Sequence, residues 1–176
     1  MPMMRLSVGL IVAVLALLAG ATDLSASAAD RLIVPCGQSI ASMRFPYFGS
    51  SRPENRYRQV LGVVAVPPAF MRQVVSTRQM PWAYWRKQGL VVSASGKAVT
   101  ITVPTTWRRR VAITWGNGIR PVSSLRIEGC HPSAGIGYAY AGGFLLRSPS
   151  ACVPLIFSVG SRSATVRFGI GQRCHR

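Results

Sequence analysis

The chain has 176 residues, of which 21 are lysine or arginine and only four are aspartate or glutamate, so its formal net charge is +17. Catalysis by paired acids and bases needs titratable groups that this sequence almost lacks. Its length fits one domain with a sizeable hydrophobic core. The charge favours an anionic partner such as an envelope polymer, lipid head groups or nucleic acid. The competing interpretation is that a GC-rich genome and a need for solubility account for the arginines.

The first residues predict a secretory signal peptide. Arg5 supplies a positive start, residues 6–19 form an apolar run, and Ala26-Ser27-Ala28 fits a cleavage site with small flanking residues. The apolar run is shorter than the ~20 residues that a spanning helix needs, so a retained anchor is the weaker alternative. We therefore expect a signal peptide over residues 1–28 and one secreted domain over residues 29–176, extracellular or at the cell surface, with no stable membrane span after cleavage.

The first part of the mature chain predicts short strands and one possible helix. Residues 32–37 form a strand-like run, and residues 45–53 form an aromatic loop that is ordered if its rings dock. Residues 57–66 are apolar without alternation, which predicts a strand covered on both faces and stopped by two prolines. Apolar residues four apart between 69 and 77 predict a short helix.

The middle of the chain predicts a hairpin. After the densest aromatic segment, residues 80–87, a strand is predicted over 90–94. Apolar residues alternate over 99–103 and again over 111–115, so these segments are expected to pair, with Val103 opposite Val111. Residues Trp107, Arg108, Arg109 and Arg110 then lie at the tip of the hairpin.

The C-terminal segment shows the clearest strand pattern. Alternate apolar residues over 153–159 and 166–170 flank a polar turn, Gly160–Ser163. Pairing Val159 with Ala164 gives a hairpin with one apolar face. Roughly eight short strands separated by Gly and Pro turns, with at most one short helix, predict an all-β fold. The expected architecture is an antiparallel β-sandwich of immunoglobulin-like or jelly-roll-like type.

Four cysteines in an exported domain predict two disulfides, and we favour Cys36–Cys130 and Cys152–Cys174. The expected hairpin register places Cys152 opposite Gly171, so the chain would have to bend to bring Cys174 within reach. The pairing of Cys36 with Cys174 and of Cys130 with Cys152 therefore stays open.

No metal site or cofactor is expected. Each of the Cys130-His131 and Cys174-His175 pairs is adjacent in sequence, whereas zinc ligands are usually separated by two to four residues. The chain has no Walker-A loop, dinucleotide fingerprint or nucleophile elbow. Glu54 lies beside arginines and Glu128 shares a strand face with one, as surface carboxylates do. We therefore expect no catalysis, with a small secreted hydrolase as the remaining enzymatic alternative.

The candidate ligand-binding residues combine arginine with tryptophan. Three consecutive arginines beside an indole suit an anionic polymer, because charge and stacking act together. The alternative is that the tryptophans cap the core and the arginines are merely solvated. The proposed set comprises Trp107, Arg108, Arg109 and Arg110, extended by Trp82, Tyr84, Trp85, Arg86 and Lys87 if both segments emerge at one end of the sandwich.

Several short motifs resemble a pattern found in small secreted proteins of actinobacterial type that have no assigned activity. These motifs are Tyr84–Val92, Ile113–Gly116, Cys130, Ala141–Phe144, Cys152–Leu155 and Phe168–Gly171 before Cys174. The resemblance implies one folded secreted domain and transfers no catalytic residue. The expected function is a binding or structural module whose partner is an anionic envelope polymer or another surface protein, with a polyanion or nucleic-acid binder using Trp107–Arg110 as the alternative.

Overall fold

The computed structural model describes residues 31–78 and 80–175. The predicted signal peptide, residues 1–28, lies outside the described residues. Within those ranges no helix has both the length and the apolar character needed to cross a membrane.

Fifteen short strands and three one-turn 3-10 helices form the regular structure of the described residues, which contain no α-helix. The prediction of an all-β fold with at most one short helix is therefore confirmed. The strands are β1 (Arg31–Val34), β2 (Ala41–Arg44), β3 (Arg58–Val60), β4 (Val64–Val66), β5 (Phe70–Met71), β6 (Val75–Ser76), β7 (Tyr84–Lys87), β8 (Leu90–Ser93), β9 (Val99–Thr102), β10 (Val111–Ile113), β11 (Ser124–Ile127), β12 (Ile136–Tyr140), β13 (Gly143–Leu146), β14 (Ala151–Val159) and β15 (Arg162–Ile170). The 3-10 helices are Cys36–Gln38, Pro53–Asn55 and Thr105–Trp107.

The strands form three sheets that pack as a β-sandwich. A six-stranded sheet has the order β1-β11-β9-β14-β15-β5, a four-stranded sheet β10-β13-β7-β6, and a five-stranded sheet β2-β12-β8-β4-β3. Phe144 of β13 lies against Phe168 of β15 with ring centroids 5.2 Å apart, so the four-stranded sheet faces the six-stranded sheet. The β1–β11 and β15–β5 pairs are parallel. The prediction was a wholly antiparallel sandwich, and these two parallel pairs make the observed one mixed.

The C-terminal hairpin of β14 and β15 supplies much of the core. Along β14 every second side chain is buried, and Val153, Leu155 and Phe157 are fully buried. The predicted register was wrong by two residues, because Val159 pairs with Arg162. Gly160, with φ of 57°, allows a two-residue turn with glycine at its first central position, which suits the twist of paired strands. A shift of two residues leaves every side chain on its predicted face.

The predicted hairpin over residues 99–115 is wrong. Strand β9 pairs with β11 and β14, whereas β10 pairs with β13 in a different sheet. Residues 103–110 therefore cross from one sheet to another through a 3-10 turn. Alternation shows which face of a strand is buried, but it does not show which other strand pairs with it. In addition, Pro104 has no N–H with which to continue the hydrogen-bond ladder of β9.

Two earlier elements also differ from expectation. Residues 57–66 form the hairpin of β3 and β4 and not one strand, because Leu61 and Gly62 both have positive φ, 53° and 72°. The predicted helix over residues 69–77 is absent, and β5 and β6 lie there at the edges of two sheets. Strands of two residues are too short to show a period in the sequence.

The aromatic loop after β2 is ordered because it covers the outer face of the five-stranded sheet. Ala65, Val91 and Ala139 form a small apolar cluster on that face, against which Met43, Phe45, Tyr47 and Tyr57 pack. The Tyr57 hydroxyl donates to the Gly89 carbonyl oxygen at 2.9 Å, and its burial raises the pKa of the phenol. The loop thus contributes a second layer of packing.

Both favoured disulfides are present. Cys36 is bonded to Cys130 and Cys152 to Cys174, so the chain segment after β1 is linked to that after β11 and the base of the last hairpin is closed. Cys152 lies opposite Gly169, and the chain reverses at Gly171, where φ is 67°. This reversal removes the geometric objection to Cys152–Cys174.

Removing the two disulfides separately should cost unequal amounts of stability. The bonds span 94 and 22 residues, so the chain-entropy account gives about 4.7 kcal/mol for Cys36–Cys130 and about 3.4 kcal/mol for Cys152–Cys174. We expect urea unfolding to show a larger loss for the Cys36→Ala, Cys130→Ala pair than for the Cys152→Ala, Cys174→Ala pair. An equal or reversed order would show that local packing at the hairpin base outweighs loop closure.

Candidate ligand-binding surface

The described residues include two glutamates and two histidines, and none of the four is buried. Glu54, Glu128, His131 and His175 are all exposed. Both cysteines that precede a histidine are in disulfides, so neither can supply a thiolate ligand. In residues 31–78 and 80–175 no three His, Cys, Asp or Glu side chains group closely enough to hold a metal ion. Surface charge and aromatic side chains are the remaining candidates.

Arginine side chains lie on aromatic rings and carbonyl oxygens. Across the described part of the chain no ion pair forms between a basic side chain and a carboxylate. Five guanidinium groups lie over rings instead, where the electron-rich face of the ring attracts the cation. The pairs and their distances to the ring centroid are Arg56 on Phe48, 4.8 Å; Arg58 on Phe168, 5.1 Å; Arg110 on Trp107, 5.5 Å; Arg147 on Trp82, 5.8 Å; and Arg173 on Phe70, 4.9 Å.

Strand register brings the two predicted aromatic and basic segments together at one end of the four-stranded sheet. In neighbouring strands Val111 lies opposite Leu146, and Leu146 lies opposite Tyr84. The residues just beyond these positions therefore meet at the same edge. We call the group Trp82, Trp107, Arg108, Arg109, Arg110 and Arg147 the arginine–tryptophan edge.

Arg147 connects the two halves of the arginine–tryptophan edge, and sequence reasoning missed it. Its backbone N–H donates to the Arg110 carbonyl oxygen at 3.2 Å, while its guanidinium lies over the ring of Trp82. In the sequence Arg147 is a single arginine before a Ser-Pro turn. Only the pairing of β13 between β10 and β7 reveals its position.

The sequence left two roles open for Trp107, namely packing on the core and belonging to a ligand-binding surface, and its position is compatible with both. It lies in the 3-10 turn Thr105–Trp107, is partly buried against the main core, and also carries the guanidinium of Arg110. Arg108, Arg109 and Arg110 are exposed. The indole therefore anchors the segment, while the three cations stay accessible to a ligand.

Tyr84 and Arg86 of the predicted set lie on the inner side of β7 and hold the fold together. Tyr84 packs against the core. Arg86 donates from Nη1 to the Gln73 carbonyl oxygen at 2.9 Å and from Nη2 to Gln88 Oε1 at 3.2 Å, and Gln88 Nε2 donates to the Tyr57 hydroxyl at 2.7 Å. Burial lowers the pKa of the Arg86 guanidinium. These two side chains are structural.

Trp85 and Lys87 lie on the opposite, outer side of β7, in what we call the Trp85 cleft. This cleft of about 530 Å³ lies between the outer face of the four-stranded sheet and the loop of residues 116–121. Leu145, directly opposite Trp85, provides apolar floor, while Lys87 and Asn117 add polar groups. Because Leu145 and Arg147 share a strand face, the cleft and the arginine–tryptophan edge are neighbours on one surface.

Comparisons with known proteins add no family to this description. No protein-family model matches the chain, and no curated protein matches it. The resemblance to small secreted proteins of actinobacterial type stays a prediction.

Arg86 and Lys87 provide a matched pair that tests which face of β7 is structural. Replacing Arg86 with alanine should lower the free energy of unfolding by about 1.5–3 kcal/mol, because it removes hydrogen bonds from a charged donor. Replacing Lys87, which is exposed, should change it by less than about 0.5 kcal/mol. Urea unfolding of both variants makes the comparison. Similar losses for the two would contradict the assignment of inner and outer faces.

Proposed function

We propose that this chain is an exported, disulfide-bonded and non-catalytic module that binds an anionic polymer at the cell surface or in the extracellular space. The observation that most directly supports this proposal is the arginine–tryptophan edge, where four arginines and two tryptophans lie together. Neither Glu54 nor Glu128 is paired with any of these arginines. The two disulfides fit an oxidising compartment, which is where an exported protein would fold.

The chemistry of the edge matches phosphate, sulfate or carboxylate groups. A guanidinium presents a planar fork of donors to such an oxyanion and is more weakly hydrated than an ammonium group. Arg110 and Arg147 are positioned over rings, so less side-chain entropy is lost when they bind. Arg108 and Arg109 extend the basic surface, and the net charge of +17 attracts an anionic chain over a longer range.

The positions of the rings favour an anionic polysaccharide or a similar polymer over single-stranded nucleic acid. Nucleic-acid binding proteins without sequence preference stack bases on exposed aromatic faces. Here one face of Trp82 is covered by Arg147, and Trp107 lies between Arg110 and the core. The ligand therefore meets guanidinium edges before indole faces.

Replacing Arg108, Arg109 and Arg147 together with serine should weaken binding to heparin, used as the probe polyanion, by about tenfold or more, equivalent to about 1.4 kcal/mol. The control is the Arg44→Ser, Arg52→Ser, Arg72→Ser variant, which loses the same charge from exposed side chains outside the edge. Titration at fixed salt and elution from a heparin column give the comparison.

An equal loss of affinity in the two triple variants would reduce the proposal to bulk charge. Binding of an oligothymidylate more tightly than heparin of similar total charge would favour nucleic acid instead. Both proteins should show weaker binding as salt rises, because release of counterions drives the association.

A further inference from the structure

A second cluster of cations lies on the outer face of the six-stranded sheet. It lines a cleft of about 530 Å³, which we call the basic cleft. Its lining residues include the basic Lys97, Arg126 and Arg162 and the hydroxyl-bearing Thr100, Ser158 and Ser161. No carboxylate lines it.

Strand register builds the floor of the basic cleft. Arg126 of β11 lies directly opposite Thr100 of β9, and Thr100 lies directly opposite Ser158 of β14. Their neighbours Ile101 and Phe157 are fully buried, so these three side chains point away from the core. Three adjacent strands thus place one guanidinium and two hydroxyl groups side by side.

Two turns border the basic cleft, and one of them adds a second cation. Lys97 precedes β9 and is exposed, and Arg162 follows the two-residue turn of the last hairpin. Arg162 lies directly opposite the buried Val159, and its Nη2 donates to the Leu61 carbonyl oxygen at 3.0 Å, so its guanidinium is held towards the inner side of the sheet and only borders the cleft. Glu128 lies two residues beyond Arg126 on the same strand face but forms no ion pair with it.

We infer that the basic cleft is a binding site for a phosphate, sulfate or carboxylate group. Lys97 and Arg126 line the same cleft without a carboxylate partner, and an oxyanion between them would relieve their mutual repulsion. The hydroxyl groups can donate hydrogen bonds to the same anion. The sequence did not indicate this site, because Lys97 and Arg126 are far apart along the chain.

The basic cleft and the arginine–tryptophan edge belong to opposite sheets of the sandwich. Phe144 and Phe168 meet between the two sheets, and the edge lies just beyond the ends of β10, β13 and β7, so it shares no residue with the basic cleft on the outer face of the six-stranded sheet. One molecule can therefore hold two anionic chains at once and bridge them. This bridging rests on the proposed function, whereas anion binding in the basic cleft does not.

The first experiment tests the basic cleft alone. Titration of the intact protein with inorganic phosphate or sulfate should shift the NMR amide signals of residues 97–100 and 158–162 in a saturable way. The Lys97→Ser, Arg126→Ser variant should bind at least about fivefold more weakly, whereas the Arg44→Ser, Arg72→Ser control should bind as the wild type does. Shifts that do not saturate, or an equal loss in both variants, would overturn the site.

The second experiment tests bridging with heparin. Wild-type protein should make heparin solutions turbid over a range of molar ratios, whereas the Lys97→Ser, Arg126→Ser variant should bind heparin within about threefold of wild-type affinity and stay clear. Unchanged turbidity in that variant would overturn bridging. Saturable phosphate shifts without heparin binding would uphold the cleft and refute the proposed function. Phosphatidylglycerol vesicles bound in preference to heparin would identify a lipid source and also overturn polymer bridging.

Discussion

The shortage of carboxylates is the constraint on which the rest of this structure depends. Nineteen basic residues in the described ranges share the surface with only Glu54 and Glu128, so ion pairs cannot neutralise the charge. Some guanidinium groups lie on aromatic rings or donate to carbonyl oxygens, and the others stay solvated. Self-repulsion of this kind opposes compaction, and the buried core together with two disulfides must offset it. The same uncompensated charge is what an anionic ligand would recognise.

Much of the fold follows from local patterns, and most of the errors concern which strands are neighbours. Alternation in β14 and β15 identified the hairpin and its buried face, because a strand covered on one side must alternate. The register depended on whether Gly160 begins a two-residue or a four-residue turn. Either turn keeps the same side chains of β14 and β15 on the buried face of the hairpin. Pairing β9 with β10 failed because a polar connection of similar length can close a hairpin or cross between sheets. The two-residue strands β5 and β6 leave no period to detect.

The candidate surface was only partly predictable, because local sequence patterns do not show which strands are neighbours. Trp107 to Arg110 stands out as a local cluster, and its union with Trp82 was a conditional expectation that the register of β10, β13 and β7 fulfils. Arg147 lies between them only through that register. Alternation along β7 separates Arg86, which faces inward, from Lys87, which faces outward, but the sequence does not show which face is covered. The basic cleft needs three adjacent strands to assemble, so no local pattern marks it.

The most direct test of the central claim is the salt dependence of folding stability. The free energy of unfolding in urea should rise as sodium chloride is increased from about 10 mM to about 0.5 M, because the Debye length then shrinks from ~30 Å to less than ~10 Å and screens repulsion among the cations. A protein stabilised by ion pairs would lose stability over the same range. Stability that falls with salt, or does not change, would contradict the claim that uncompensated positive charge opposes the folding of this chain.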